Sequence, residues 1–132
     1  SGCNTNISFT ITSSIIRFDF NCGTIDLNTD VTVYFNTWTH FTVTYDNSAT
    51  INSDAGKVYI NGNLQSSLEA VESDAENTSN RNFNSGLGRI AGWRSNNLYR
   101  MPMEISLFRA YNKALTQEEI TERFNAVGGR FS

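Results

Sequence analysis

Apolar positions recur mostly at every second residue, the spacing that places side chains of one kind on one face of an extended strand. "ISFTIT" (7–12) and "IIRFDF" (15–20) predict a hairpin around Ser13-Ser14, a register that sets Thr12 opposite Ile15 and Cys22 opposite Thr5. "VTVYF" (31–35) and "WTHFTVTYD" (38–46) are β-branched and aromatic at a period near two, and predict further strands. "GKVYINGNLQ" (56–65) holds Asn61-Gly62 between two short runs, the strongest local signal for a hairpin because a type I′ turn needs positive φ at both centres. The polar stretch 66–85 loses periodicity and reads as a long loop with at most one short strand. "GLGRIAGW" (86–93) resumes as a strand, a loop follows over 94–102, and "MEISLFRAYN" (103–112) predicts a long strand. No internal repeat is visible.

The pattern changes once. "LTQEEITERF" (115–124) carries Thr116 and, three residues later, Glu119, the capping box in which each side chain satisfies an unpaired backbone N–H. Leu115 and Ile120 form a hydrophobic staple across that cap. Ile120, Phe124 and Val127 make a stripe fit to lie on a sheet, and Gly128-Gly129 closes the helix.

Composition narrows the class. The 132 residues fall within the roughly 100–200 of a single domain. A net charge of −3 without a run of Lys or Arg gives no footprint for a phosphate backbone, so nucleic acid is not an expected partner. No apolar run approaches the roughly 18 residues of a membrane span, so no membrane insertion is expected. The first residue is Ser1 with no charged and apolar leader after it, as expected of a chain whose preceding segment has been cut off, processed away or left out. Abundant Asn, Ser and Thr with a single Pro and 17% charged residues suit a β protein of secreted or virion type. The two cysteines leave a disulfide open: the hairpin register makes Cys3 a diagonal neighbour of Cys22, just beyond comfortable reach unless the strand ends curl together.

Four of these segments, "WTHFTVTYD", "GKVYINGNL", "GLGRIAGW" and "ISLFRAYNKALTQEEITERFNA", occur in the order and spacing of the laminin G-like, concanavalin A-like lectin superfamily, which the chain resembles from about residue 31 to 131. The ending "EEITERFNAVGGRF" is similar to the close of such domains in structural proteins of tailed phages and large viruses. The resemblance implies an all-β, antiparallel two-sheet jelly-roll sandwich with one short C-terminal helix, spanning residues 1–132 as a single domain. It implies ligands at a concave sheet or its rim loops. Trp38 is then expected in the core, and His40, the sole histidine, as a hydrogen-bonded interior or sheet-face residue. Domains of this family usually run longer at the front, where an opening strand pairs beside the C-terminal one. That departure implies either a shortened sheet or completion by a neighbouring subunit, and with it a homo-oligomer or a structural partner.

Three chemistries compete for the polar residues. Glu72, Asp74 and Glu76 stand two apart, as the acids of related glucanases do, but Ser73 and Ala75 between them and the polar flanks lack the apolar packing that raises a carboxyl pKa and fixes a spacing near 5 Å. A solvated acidic loop is the expectation, and no catalysis. Asp46, Asn47, Asn52 and Asp54 lie in one inter-strand segment and offer oxygens to Ca²⁺, although ordinary turn chemistry accounts for the same residues. "NRNFN" (80–84) and "WRSNNLYR" (93–100) combine aromatic rings with amide and guanidinium groups, the mixture that grips a sugar. Asn80, Arg81, Asn82, Trp93, Arg94 and Tyr99 are the candidate glycan contacts. The sequence thus points to a non-catalytic glycan- or polysaccharide-binding or adhesion module, extracellular or on a virion surface. A structural module that cements subunits is the alternative, and a glycosidase the third reading.

Overall fold

The computed structural model describes residues 7–11, 16–20, 23–27, 31–46, 48–49, 55–65, 68–71 and 103–131. Within them lie two antiparallel sheets. The first has the order β1-β2-β3-β7, built from β1 (Ile7–Ile11), β2 (Ile16–Phe20), β3 (Gly23–Leu27) and β7 (Leu68–Val71). The second, β4-β5-β6, comprises β4 (Phe41–Tyr45), β5 (Gly56–Ile60) and the short β6 (Asn63–Leu64). One helix, α1 (Gln117–Gly128), follows.

The first hairpin has the register its alternation predicts, with Ile7 opposite Phe20 and Ile11 opposite Ile16. A slip of one residue would turn Phe18 and Ile16 out of the core, and both are 1% exposed or less. Strand β3 was not expected from the sequence. It pairs with β7, the one short strand anticipated in the polar stretch. Cys3 and Cys22 lie outside the described residues, as do the predicted strand 86–93, the loop 94–102 and the triad Glu72, Asp74 and Glu76.

The sheets meet through alternate residues. Ile16 and Phe18 of β2 cluster with Val58 and Ile60 of β5 and with Ala55, and Phe9, Ile11, Phe41, Val43 and Tyr45 pack around them. The rings of Phe9 and Phe41, one from each sheet, lie 5.4 Å apart. This is the packing of a β-sandwich, in which inward residues alternate with outward ones. In the second sheet the outward set is Thr42 and Thr44 on β4, opposite Tyr59 and Lys57 on β5, with Leu64 opposite Tyr59 on β6.

The Asn61-Gly62 turn has φ of 49° and 80°, the type I′ geometry that joins two-residue hairpins. Asn61 also clamps the chain entering β4. Its side-chain Oδ1 accepts from the His40 N–H at 3.0 Å, and its own N–H donates to the His40 carbonyl at 2.8 Å.

Helix α1 begins as its sequence dictates. Thr116 is the N-cap, its hydroxyl accepting from the Glu119 N–H at 3.2 Å while the Glu119 carboxylate accepts from the Thr116 N–H at 3.0 Å. Leu115 and Ile120, the staple, bury against Tyr59, so the helix covers part of the outward face of β4-β5-β6. Phe124 then packs onto the turn itself, and a Cβ placed on Gly62 would stand 3.2 Å from its ring. The Gln117 side chain donates to the Gly62 carbonyl at 2.7 Å. After Gly128 the chain tightens, with Arg130 N–H donating to Val127 and Phe131 N–H to Gly128. The cap residue Gly129 is right-handed, at φ −67°.

Three expectations are corrected. Residues Val31–Tyr34 form a 3-10 helix rather than a strand, closed by the left-handed Asn36 at φ 57°. Tyr34 packs against the core, its ring edge-on to Phe41 at 5.9 Å, while Val33 and Phe35 face solvent. β propensity expresses packing on a pleated surface, and Val33 and Phe35 have no such surface. Residues 103–112 form no strand, and Met103, Ile105, Leu107 and Phe108 are exposed. Alternation becomes a strand only where a partner ladder exists, and none faces this segment among the described residues. Trp38, expected in the core, is 47% exposed and packs on Phe131 with ring centroids 5.2 Å apart.

Candidate functional site

The staple residues hold the start of α1 at a fixed height above the sheet, and a groove of about 410 Å³ opens beside them. Thr44, Lys57, Tyr59 and Leu64 form its floor, all of them outward positions of paired strands. Ala114, Leu115, Thr116 and Gln117 form a wall, and Asp46 and Ala55 an end. The size falls within the roughly 300–1,000 Å³ of small-ligand sites. Its chemistry is mixed: a hydroxyl, a carboxylate, an ammonium and an amide stand around the apolar surfaces of Leu64 and Leu115.

Asp46 is fixed by its own turn. Its Oδ1 accepts from the Ser48 hydroxyl at 2.6 Å and from the Ser48 N–H at 2.8 Å, and its backbone N–H donates to Ala55 at 2.7 Å. The Ser48 hydroxyl first, then the Ser48 N–H and the nearby Lys57 charge, hold this carboxyl below its ordinary range, so it is ionised at neutral pH. The turn role foreseen for this residue is therefore present. Of the four calcium candidates only Asp46 falls on described residues, since Asn47, Asn52 and Asp54 lie outside them. One ionised oxygen of Asp46 makes no hydrogen bond among the described residues, a donor chemistry that fits a hard cation. Among the described residues no group of three or more His, Cys, Asp or Glu side chains gathers.

A second set of side chains lines the other part of α1. The His40 imidazole sits 5.8 Å from the Phe124 ring, and the Arg123 guanidinium lies 4.6 Å over the Tyr111 ring. Burial first, and then the Arg109 charge, push the His40 pKa below its ordinary value, which leaves the ring neutral at pH 7. His40 was expected to be hydrogen-bonded. Its backbone is, through Asn61, but the buried ring Nδ1 has no partner among the described residues.

The glycan candidates Asn80, Arg81, Asn82, Trp93, Arg94 and Tyr99 all lie outside the described residues. The groove residues Thr44, Lys57, Tyr59 and Gln117 were missed by the sequence reading. The available signal was the outward set of the β4-β5 hairpin, which carries an aromatic ring and an amphipathic helix with a matching stripe.

Residues 1–121 match the family model described as the concanavalin A-like lectin/glucanases superfamily, of laminin G type. The match takes in the first hairpin, which the resemblance, read from about residue 31, left out. No curated protein and no solved structure matches significantly.

Proposed function

The chain belongs to the concanavalin A-like lectin/glucanase superfamily, and from that premise we propose that it is a non-catalytic carbohydrate-binding or adhesion module. The observation that carries the reading is the groove between the outward sheet face and α1. Thr44, Asp46, Lys57 and Gln117 there present both donors and acceptors for sugar hydroxyls, and Leu64 and Leu115 present an apolar surface to the sugar's C–H face. Asn80, Arg81, Asn82, Trp93, Arg94 and Tyr99 are proposed as further contacts on chemical grounds. Calcium, where bound, would be held by Asp46 with Asn47, Asn52 and Asp54, and would supply positive charge to order that turn.

The non-catalytic part rests on the sequence around Glu72, Asp74 and Glu76, whose polar flanks provide no apolar setting to separate two carboxyl pKa values. Display on an extracellular or virion surface rests on composition and on the C-terminal segment's similarity to viral structural domains.

A glycan and polysaccharide array, run with calcium and with chelator, tests the proposal. Binding to one sugar class is expected, and loss of that binding with chelator would place calcium at the Asp46 turn. Turnover of a β-glucan that is abolished by Glu72→Gln would overturn the non-catalytic reading. A second reading has its own support: Met103, Ile105, Leu107 and Phe108 expose apolar side chains along one segment, as a subunit-cementing module would. A blank array together with a concentration-dependent oligomer would favour that role.

A further inference from the structure

We propose that Asn61 is a site of spontaneous deamidation guarded by α1, and that its isoaspartate product releases the helix from the hairpin turn. The sequence holds one Asn-Gly pair, and it forms the I′ turn at Asn61-Gly62. A glycine after asparagine presents its backbone nitrogen with no side chain to hinder close approach, and asparagine is among the thermolabile residues. The step balances without an oxidant or a cofactor. The Gly62 nitrogen attacks Cγ of the Asn61 carboxamide, its proton leaves with the side-chain nitrogen as ammonia, and a five-membered succinimide closes. Water then opens the ring at either carbonyl. One product is aspartate. The other is isoaspartate, in which the main chain runs through the former side-chain carbonyl and is longer by a methylene.

The folded turn restrains both reacting groups. The electrophile is pinned through Oδ1, which accepts from the His40 N–H at 3.0 Å. The nucleophile belongs to the Asn61–Gly62 peptide, whose carbonyl accepts from the Asn63 side-chain amide at 3.2 Å. Ring closure turns the side chain and the peptide plane towards each other, so these bonds open first. The Gly62 N–H itself makes no hydrogen bond among the described residues, which leaves its nitrogen available once the turn moves. Access is what α1 controls. Gly62 is buried, the Phe124 ring packs on it, and Gln117 donates to its carbonyl at 2.7 Å. The reaction therefore follows local opening of the helix from the turn. Isoaspartate makes that opening permanent. Its extra methylene breaks the two-residue turn, whose φ values of 49° and 80° belong to an unmodified backbone. Phe124 and Gln117 lose their seat, and the groove wall at Thr116 and Gln117 loses its anchor. Aspartate keeps both the backbone and an acceptor for the His40 N–H.

Incubation of the purified chain at pH 8 tests this, with conversion at Asn61 followed by peptide mass analysis and isoaspartate content, beside the same chain held unfolded in guanidinium chloride. Conversion in the folded chain is expected to be about tenfold or more slower than in the unfolded one, since it waits on local opening. Gln117→Ala and Phe124→Ala, each checked for retained helix by circular dichroism, should raise the folded-state rate several-fold, and Arg130→Gln should leave it unchanged. If Phe124→Ala does not fold, Gln117→Ala carries the comparison. The isolated isoaspartate form should lose amide-exchange protection along α1 while β2 and β5 keep theirs, and Asn61→Asp should keep all three. Equal rates in the folded and unfolded chains, or an unchanged rate in folded Gln117→Ala, would overturn the guard. Full protection of α1 in the isoaspartate form would overturn the release.

Discussion

Gly62 shows most clearly what one residue can decide. Its φ of 80° and the Phe124 ring at 3.2 Å from a would-be Cβ tie the hairpin turn to the helix. Gly62→Ala meets both obstacles, and is expected to lower unfolding free energy by about 1–2 kcal/mol in urea denaturation. A control at Gly129, right-handed and with open space around it, should cost nothing or stabilise. His40 makes stability depend on pH. Its folded pKa lies below the ordinary 6.5, so the unfolded chain takes up the proton first. The folded state therefore keeps its full stability above about 6.5 and loses it as pH falls towards the folded pKa. Glu119, also lowered from its ordinary 4.5 by Lys113 and the Thr116 N–H, acts in the same direction at lower pH. Chemical denaturation at pH 7 and pH 5 should show a smaller drop for His40→Gln than for the parent. An equal drop would mean that another group titrates.

Among the elements, those with local causes could be read from the sequence and those with distant causes could not. The first hairpin's register follows from alternation, the I′ turn from Asn61-Gly62, and the helix start from Thr116, Glu119 and the Leu115–Ile120 staple. Each of these is a relation among residues a few positions apart. Residues 31–35 have the same β-branched composition, but with Tyr34 on the core and Val33 and Phe35 in solvent they form a 3-10 turn. Residues 103–112 alternate too, yet face no ladder among the described residues. The groove was hidden for the same reason, because Thr44, Lys57 and Tyr59 matter only once the outward face is known to meet α1. The helix cap offers a direct check. Thr116→Ala removes the hydroxyl acceptor and should cost about 1 kcal/mol, whereas Ile120→Ala, emptying a site 1% exposed, should cost about 2–5 kcal/mol.

At the scale of the molecule, the sandwich core and the helix layer divide the work. Phe18, Ile16, Val58 and Ile60 hold the sheets together, which leaves the outward face of β4-β5-β6 free to be half covered by α1. The groove opens where the helix covers Tyr59 but leaves Lys57 and Leu64 exposed. Substitution of the exposed Lys57 should separate binding from folding: Lys57→Ala is expected to weaken glycan binding by about tenfold with little effect on the melting temperature, whereas Gln117→Ala also removes the donor to the Gly62 carbonyl and should lower both. The groove is the proposed sugar site. The most direct measurement is two-dimensional amide NMR of the labelled chain during titration with the best saccharide from the array. Saturable shifts are expected at Thr44, Lys57, Leu64 and Gln117, and none at Ile16 or Phe18 in the core. Saturable shifts elsewhere with those four amides unmoved would contradict that assignment.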